Sequence, residues 1–118
     1  MRDSKLYLKD ILEAITSIER FVRGIDFKKF KKDDMRLNAV IRKFEIIGEA
    51  TKNIPEEIKH KYYTIPWKEM SGLRDRLIHF YFGIKYELVW ETIKKDIPKV
   101  KPVIKKILEN LNSEKPEK

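Results

Sequence analysis

Apolar residues spaced three and four positions apart constrain this chain most. Leu8, Ile11, Leu12, Ile15, Ile18, Val22 and Ile25 recur at helical steps from near the N-terminus. They form one stripe of a 3.6-residue helix, and such a stripe needs a partner to cover it. Asp3 and Ser4 precede it as N-caps, and the helix is predicted to end near Gly24. A second stripe follows Asp33 and Asp34, acids that suit a helix N-terminus: Leu37, Val40, Ile41, Phe44 and Ile47. Gly48 and Ala50 in "IIGEA" are small enough to let another helix come close. Pro55 ends this segment, because the residue before a proline is pushed out of α geometry.

The rest of the chain keeps to helical patterns. "PEEIKHKYY" predicts a short helix opened by Pro55. "TIPWKEM" opens another, with Pro66 at its first position, running to about Gly83. A last helix starts near Tyr86, and Pro98 and Pro102 are predicted to kink or break it. No segment has a strand's alternation, and there is no repeat or low-complexity linker. The predicted fold is all-α: an antiparallel bundle of four main helices plus a short connecting helix. It fills residues 1–111 as one domain, with 112–118 as a flexible tail.

Composition narrows the function classes. The 118 residues include no Cys, which excludes disulfides and Cys-based metal sites. No residue set has metal-ligand spacing, and no Gly-rich loop could cradle a nucleotide phosphate, so neither a metal nor a cofactor is expected. There is no apolar run of 18 residues to span a membrane, and "MRDSKLYLKD" lacks a signal peptide's apolar core. A cytoplasmic protein is the expectation. The net charge of +8 and a pI of about 9.6 point to a polyanionic partner. Cations cluster in "RFVRGIDFKKFKKDDMR", where Phe27 and Phe30 interleave with lysines. The favoured reading is a solvated loop whose phenylalanines tuck into the core; the sharper one is a basic rim facing RNA.

"GLRDRLIHFYF", residues 72–82, is the stretch that packing alone does not explain. At 100° per residue, Met70, Leu73, Leu77, Phe80 and Ile84 fall within roughly 80° and make the bundle-facing stripe. Asp75, Ile78, His79 and Phe82 lie opposite, a face suited to a second contact surface such as a homodimer interface. Arg74 and Tyr81 share one edge, and Asp75 and His79 are four apart, within reach of each other. Arg74 and His79 diverge by about 140°, so one helix does not easily aim both at one phosphate. Two copies related by a two-fold axis could supply both groups to a shared cleft. Arginine offers a planar fork to phosphate oxygens. Histidine titrates near neutrality and can take the proton of a ribose 2′-hydroxyl or protonate a leaving oxygen. Asp75 could orient the His79 ring, and Tyr81 could donate to phosphate or stack on a base.

The order of motifs carries a resemblance. "RKFEIIGEATKNIPEEI", then "YTIPWKEMSGLRDRLIHFYFGI", then "YELVWETIKKDIPKVKPVI" closely resembles the HEPN superfamily, and more narrowly its HepT toxin branch, over residues 5–111. The diagnostic element is Arg, four residues, His, one residue, Tyr: here Arg74, His79 and Tyr81. The resemblance implies a HEPN-like helical homodimer whose two motif helices face each other across a cleft. It implies a metal-independent endoribonuclease acting on tRNA or mRNA as the toxin of a type VII-like toxin–antitoxin pair. It also implies a partner, a minimal nucleotidyltransferase antitoxin that neutralises the toxin by adding AMP to the tyrosine, here Tyr81. Arg74 and His79 map to the catalytic pair, with Asp75 and Tyr81 supporting. The residue after the arginine, often Asn in the family, is Asp75 here and adds a negative charge beside the phosphate site. Lys85 stands where an acid is expected.

The other polar residues read as structural. His60 is predicted to be exposed, Trp67 and Trp90 to be core or interface anchors, and Glu45 to pair on the surface. Glu49 is likewise predicted to pair on the surface, with Arg42 and Lys43 nearby, or else to line the cleft. The alternative function is a non-catalytic helical subunit that binds and positions a nucleotidyltransferase.

Overall fold

The computed structural model describes residues 3–78 and 86–113, and only the backbone of Arg74, Leu77 and Ile78. Eight α-helical segments carry these residues: α1 (Ser4–Phe21), α2 (Phe27–Phe30), α3 (Asp34–Lys52), α4 (Glu56–Lys61), α5 (Trp67–Ser71), α6 (Leu73–Ile78), α7 (Tyr86–Glu91) and α8 (Ile97–Ser113). No strand occurs among them. The all-α expectation holds, and α1, α3, the α5–α6 pair and the α7–α8 stretch are its four long members.

The two apolar stripes read from the sequence cover each other. Leu8, Ile11, Ile15 and Ile18 of α1 and Val40, Phe44 and Ile47 of α3 are fully or almost fully buried. α1 packs most extensively on α3 and next on α8, and α3 also takes α5 and α6. The Lys101 ammonium lies 2.7 Å from the Glu19 carboxylate, so the start of α8 sits against the end of α1. The Asn110 amide donates to the Tyr62 hydroxyl at 2.7 Å and ties the far end of α8 to the chain after α4. The buried Thr51 and Thr92 hydroxyls donate to the Ile47 and Leu88 carbonyls within their own helices, so neither is left unsatisfied.

Two local expectations are corrected, and a third is narrowed. α1 ends at Phe21, before Gly24, which takes a positive φ of 78° in the turn beyond. "FKKF" is a helical turn and not a loop: the Asp26 carboxylate accepts from the Lys29 N–H and caps it. Its Phe30 is fully buried, as expected. Neither proline breaks the last helix. The chain passes from α7 into a π-helical turn, Thr92–Asp96, where the Ile97 N–H reaches back five residues to the Thr92 carbonyl. A wider turn just before Pro98 accommodates a ring that would press on the carbonyl four residues back in regular α geometry. α8 then runs through Pro102 to Ser113.

Gly48 is small for a reason. A Cβ there would lie 3.2 Å from the Ser71 carbonyl oxygen and 3.4 Å from that of Met70. Both are backbone atoms and cannot swing aside. Gly48→Val should therefore force α3 and α5 apart, at a cost of about 1–3 kcal/mol. Thermal unfolding followed by circular dichroism should show Tm lower by roughly 5–15 °C. An unchanged Tm would mean that this approach is not a tight contact.

Candidate functional site

The motif segment enters from a firmly packed base. Pro66 precedes α5, and the Trp67 indole N–H donates to the Tyr62 carbonyl at 3.1 Å. Trp67, Met70 and Leu73 are buried, so the predicted bundle-facing stripe holds for Met70 and Leu73. One continuous helix to Gly83 was expected. Instead, α5 and α6 are separated by the single residue Gly72. Glycine is a poor helix former, and this one follows the tight approach of Met70 and Ser71 to Gly48. Hydrogen bonding resumes at once, with the Arg76 N–H on the Gly72 carbonyl at 3.0 Å.

α6 places the Arg74 backbone one residue beyond the buried Leu73. Asp75 and Arg76 are exposed. His79 and Tyr81 lie outside the described residues, as do Phe80, Phe82, Ile84 and Lys85. So the Arg74–His79 geometry, the Asp75–His79 contact and the Ile78/Phe82 face fall there too. Beside α6 is a cavity of about 260 Å³. Its described lining includes Ile47, Met70, Leu73 and Ile97, with Glu69, Arg76 and Asp96 as its charged members. Among the described residues no three His, Cys, Asp or Glu side chains gather to hold a metal ion. No described helix is long and apolar enough to cross a membrane.

The chain leaves the motif segment at an equally fixed point. The Tyr86 hydroxyl donates to the Asp34 carboxylate. This bond to an anion raises the Tyr86 pKa, with burial adding to the effect. The Tyr86 ring meets Phe30 edge-on at 6.2 Å, and Trp90 packs 5.1 Å from Phe30 and 6.0 Å from Phe27. Trp90 is thus the anchor the sequence suggested, but its partners in α2 were not legible. Ser71 therefore lies at Gly48 and Tyr86 at Asp34. Those two α3 positions are fourteen residues, about 21 Å, apart along the helix.

His60 is at the surface and Glu45 pairs there, accepting from Arg42 at 3.1 Å, as expected. Glu49 is exposed. Asp33 caps α3 through the Arg36 N–H and also pairs with the Arg36 guanidinium at 2.6 Å. The backbone bond and then the side-chain bond hold its carboxyl below the usual range.

The family profile described as "Ribonuclease HepT-like" matches residues 11–107. The chain belongs to this family. A relative from Thermococcus cleftensis, "Probable ribonuclease HepT", is 50% identical over 106 residues, which cover 90% of this chain and 96% of the relative. "Putative RNase TTE0752" from Caldanaerobacter subterraneus subsp. tengcongensis is 45% identical over 109 residues, covering 92% and 97%. No solved structure gives a significant match. The chain is thus a HepT-like ribonuclease, and α6 carries the arginine of its Arg74–His79–Tyr81 pattern.

Proposed function

We propose that this HepT-like ribonuclease is a metal-independent endoribonuclease toxin, acting in the cytoplasm on tRNA or mRNA as a homodimer. The observation that carries the reading is the complete Arg74, His79, Tyr81 pattern, with its arginine on α6 next to the buried Leu73. His79 takes the proton of a ribose 2′-hydroxyl, and that oxygen attacks the adjacent phosphorus. The protonated imidazole returns that proton to the 5′-oxygen as it leaves, and a 2′,3′-cyclic phosphate remains. Arg74 forks onto the phosphate oxygens as charge builds on them. Five positions apart, the two groups would diverge by about 140° on a single helix, so the cleft pairs motif helices from two protomers. Asp75 orients the imidazole. Tyr81 touches the substrate and is the acceptor of AMP from a minimal nucleotidyltransferase antitoxin.

Induced expression of the chain alone should stop growth and degrade cellular RNA. Co-expression with a nucleotidyltransferase encoded beside it should restore growth. Normal growth and intact RNA, with the chain present at high level in folded form, would contradict the toxin reading.

A further inference from the structure

We infer that α2 and the chain flanking it form a basic ridge that holds the phosphodiester backbone of single-stranded RNA beside the catalytic segment. This inference rests on RNA being the substrate. Residues 20–36 hold seven cations against three anions, half of the chain's net charge of +8. Within this stretch Arg36 is held by Asp33, as Arg42 is by Glu45, Lys95 by Glu91 and Lys101 by Glu19 elsewhere. Lys28, Lys29 and Lys32 are exposed and form no ion pair among the described residues.

The local acids are occupied with folding. Asp26 accepts the Lys29 N–H, Asp33 takes the Arg36 N–H and guanidinium, and Asp34 accepts the Tyr86 hydroxyl. The three lysines line an open concavity of about 410 Å³ with Asp26 and Asp33. Two neighbouring ammoniums stand on aromatic rings, Lys31 at 5.7 Å from the Phe27 centroid and Lys94 at 4.8 Å from that of Trp90. Phe27 packs on Trp90 and Trp90 on buried Phe30, so the charges rest on a packed floor.

Position supplies the connection to catalysis. Tyr86 is fixed against Phe30 and Asp34, inside the ridge. Tyr81 stands five positions before Tyr86 and His79 seven. Even fully extended, those links span no more than about 17 and 24 Å. A few nucleotides of extended RNA cover the same distance, so a strand cut at the motif passes over the ridge.

The test is binding of a fluorescein-labelled 2′-O-methyl RNA 12-mer, followed by anisotropy across a salt series. The probe has no free 2′-hydroxyl, so the result does not depend on whether the chain cleaves RNA. Each phosphate contact to single-stranded nucleic acid contributes about 0.7 to the slope of log affinity against log salt, or about five-fold at 0.1 M salt. Replacing Lys28, Lys29 and Lys32 together by Gln should lower the slope by about 2 and weaken binding about 100-fold at 0.1 M salt. A control variant replaces Lys99, Lys105 and Lys106, exposed on α8, with the same loss of charge. It should bind within about three-fold of wild type. An unchanged slope in the ridge variant, an equal loss in the α8 variant, or no binding by the wild type would overturn the inference. The first of these overturns it even if the ridge variant loses a protein partner.

Discussion

Purified Arg74→Ala and His79→Ala chains should each cut RNA about 10²–10⁴ times more slowly than wild type. The two losses have different origins. Without Arg74 the phosphate keeps its attacking 2′-oxygen but loses the fork that meets its developing charge. Without His79 the nucleophile keeps its proton. Neither change should unfold the domain, because the stripe that fixes this segment is Met70 and Leu73, both buried, and alanine is the best helix former. Circular dichroism and Tm should therefore stay at wild-type values while cleavage falls. The double variant should be little slower than the worse single one, since the two groups act on one transition state. If both variants fold and cleave at the wild-type rate, the site lies elsewhere on the chain.

Tyr81→Phe should escape neutralisation by the antitoxin. Seven positions apart, Tyr81 and Arg74 would share an edge of a helix continued through the motif, so a nucleotide attached to the tyrosine hydroxyl would stand over the arginine. The new phosphodiester carries one negative charge and can pair with the guanidinium, occupying the place of the RNA phosphate. The adenosine would block the cleft sterically. Phenylalanine keeps the ring and removes the acceptor oxygen. Intact-mass measurement after incubation with the cognate nucleotidyltransferase and ATP should show one or more AMP units on wild type and none on the variant. Growth should stay arrested when that variant and the antitoxin are expressed together, provided the hydroxyl is not itself needed for cleavage. AMP on the Tyr81→Phe chain would move the acceptor to another residue. Neutralisation of wild type without a change in mass would make the antitoxin a purely steric blocker.

What the sequence made legible were the elements whose partners share its own periodicity. The stripes of α1 and α3 cover one another, so each could be read alone, and the caps Asp3 and Asp33 stand where expected. α2 could not be read that way. A four-residue helix has one turn, and this one depends on Tyr86 and Trp90, more than fifty residues away. The interruption at Gly72 depends on how closely α3 approaches, a fact about packing between helices. Pro98 correctly signalled a disturbance, but the chain absorbs it by widening one turn instead of breaking. At the site, the sequence placed Arg74 on a helix with Met70 and Leu73 facing inward; the structure buries both residues but splits them between α5 and α6, with the Arg74 backbone on α6. The positions of His79 and Tyr81 relative to Arg74 lie outside the described residues. Their roles rest on the pattern and on the chemistry of the side chains.

The ends of the cleavage products test the central claim most directly. A defined RNA is incubated with the purified chain in excess EDTA, and its fragments are weighed by mass spectrometry. Attack by the neighbouring 2′-hydroxyl leaves a 2′,3′-cyclic phosphate, or the 3′-phosphate from its opening, on one fragment and a 5′-hydroxyl on the other. Those ends, at a yield that EDTA does not change, are the predicted result. Fragments with 5′-phosphate ends, formed only when a divalent metal ion is restored, would contradict it.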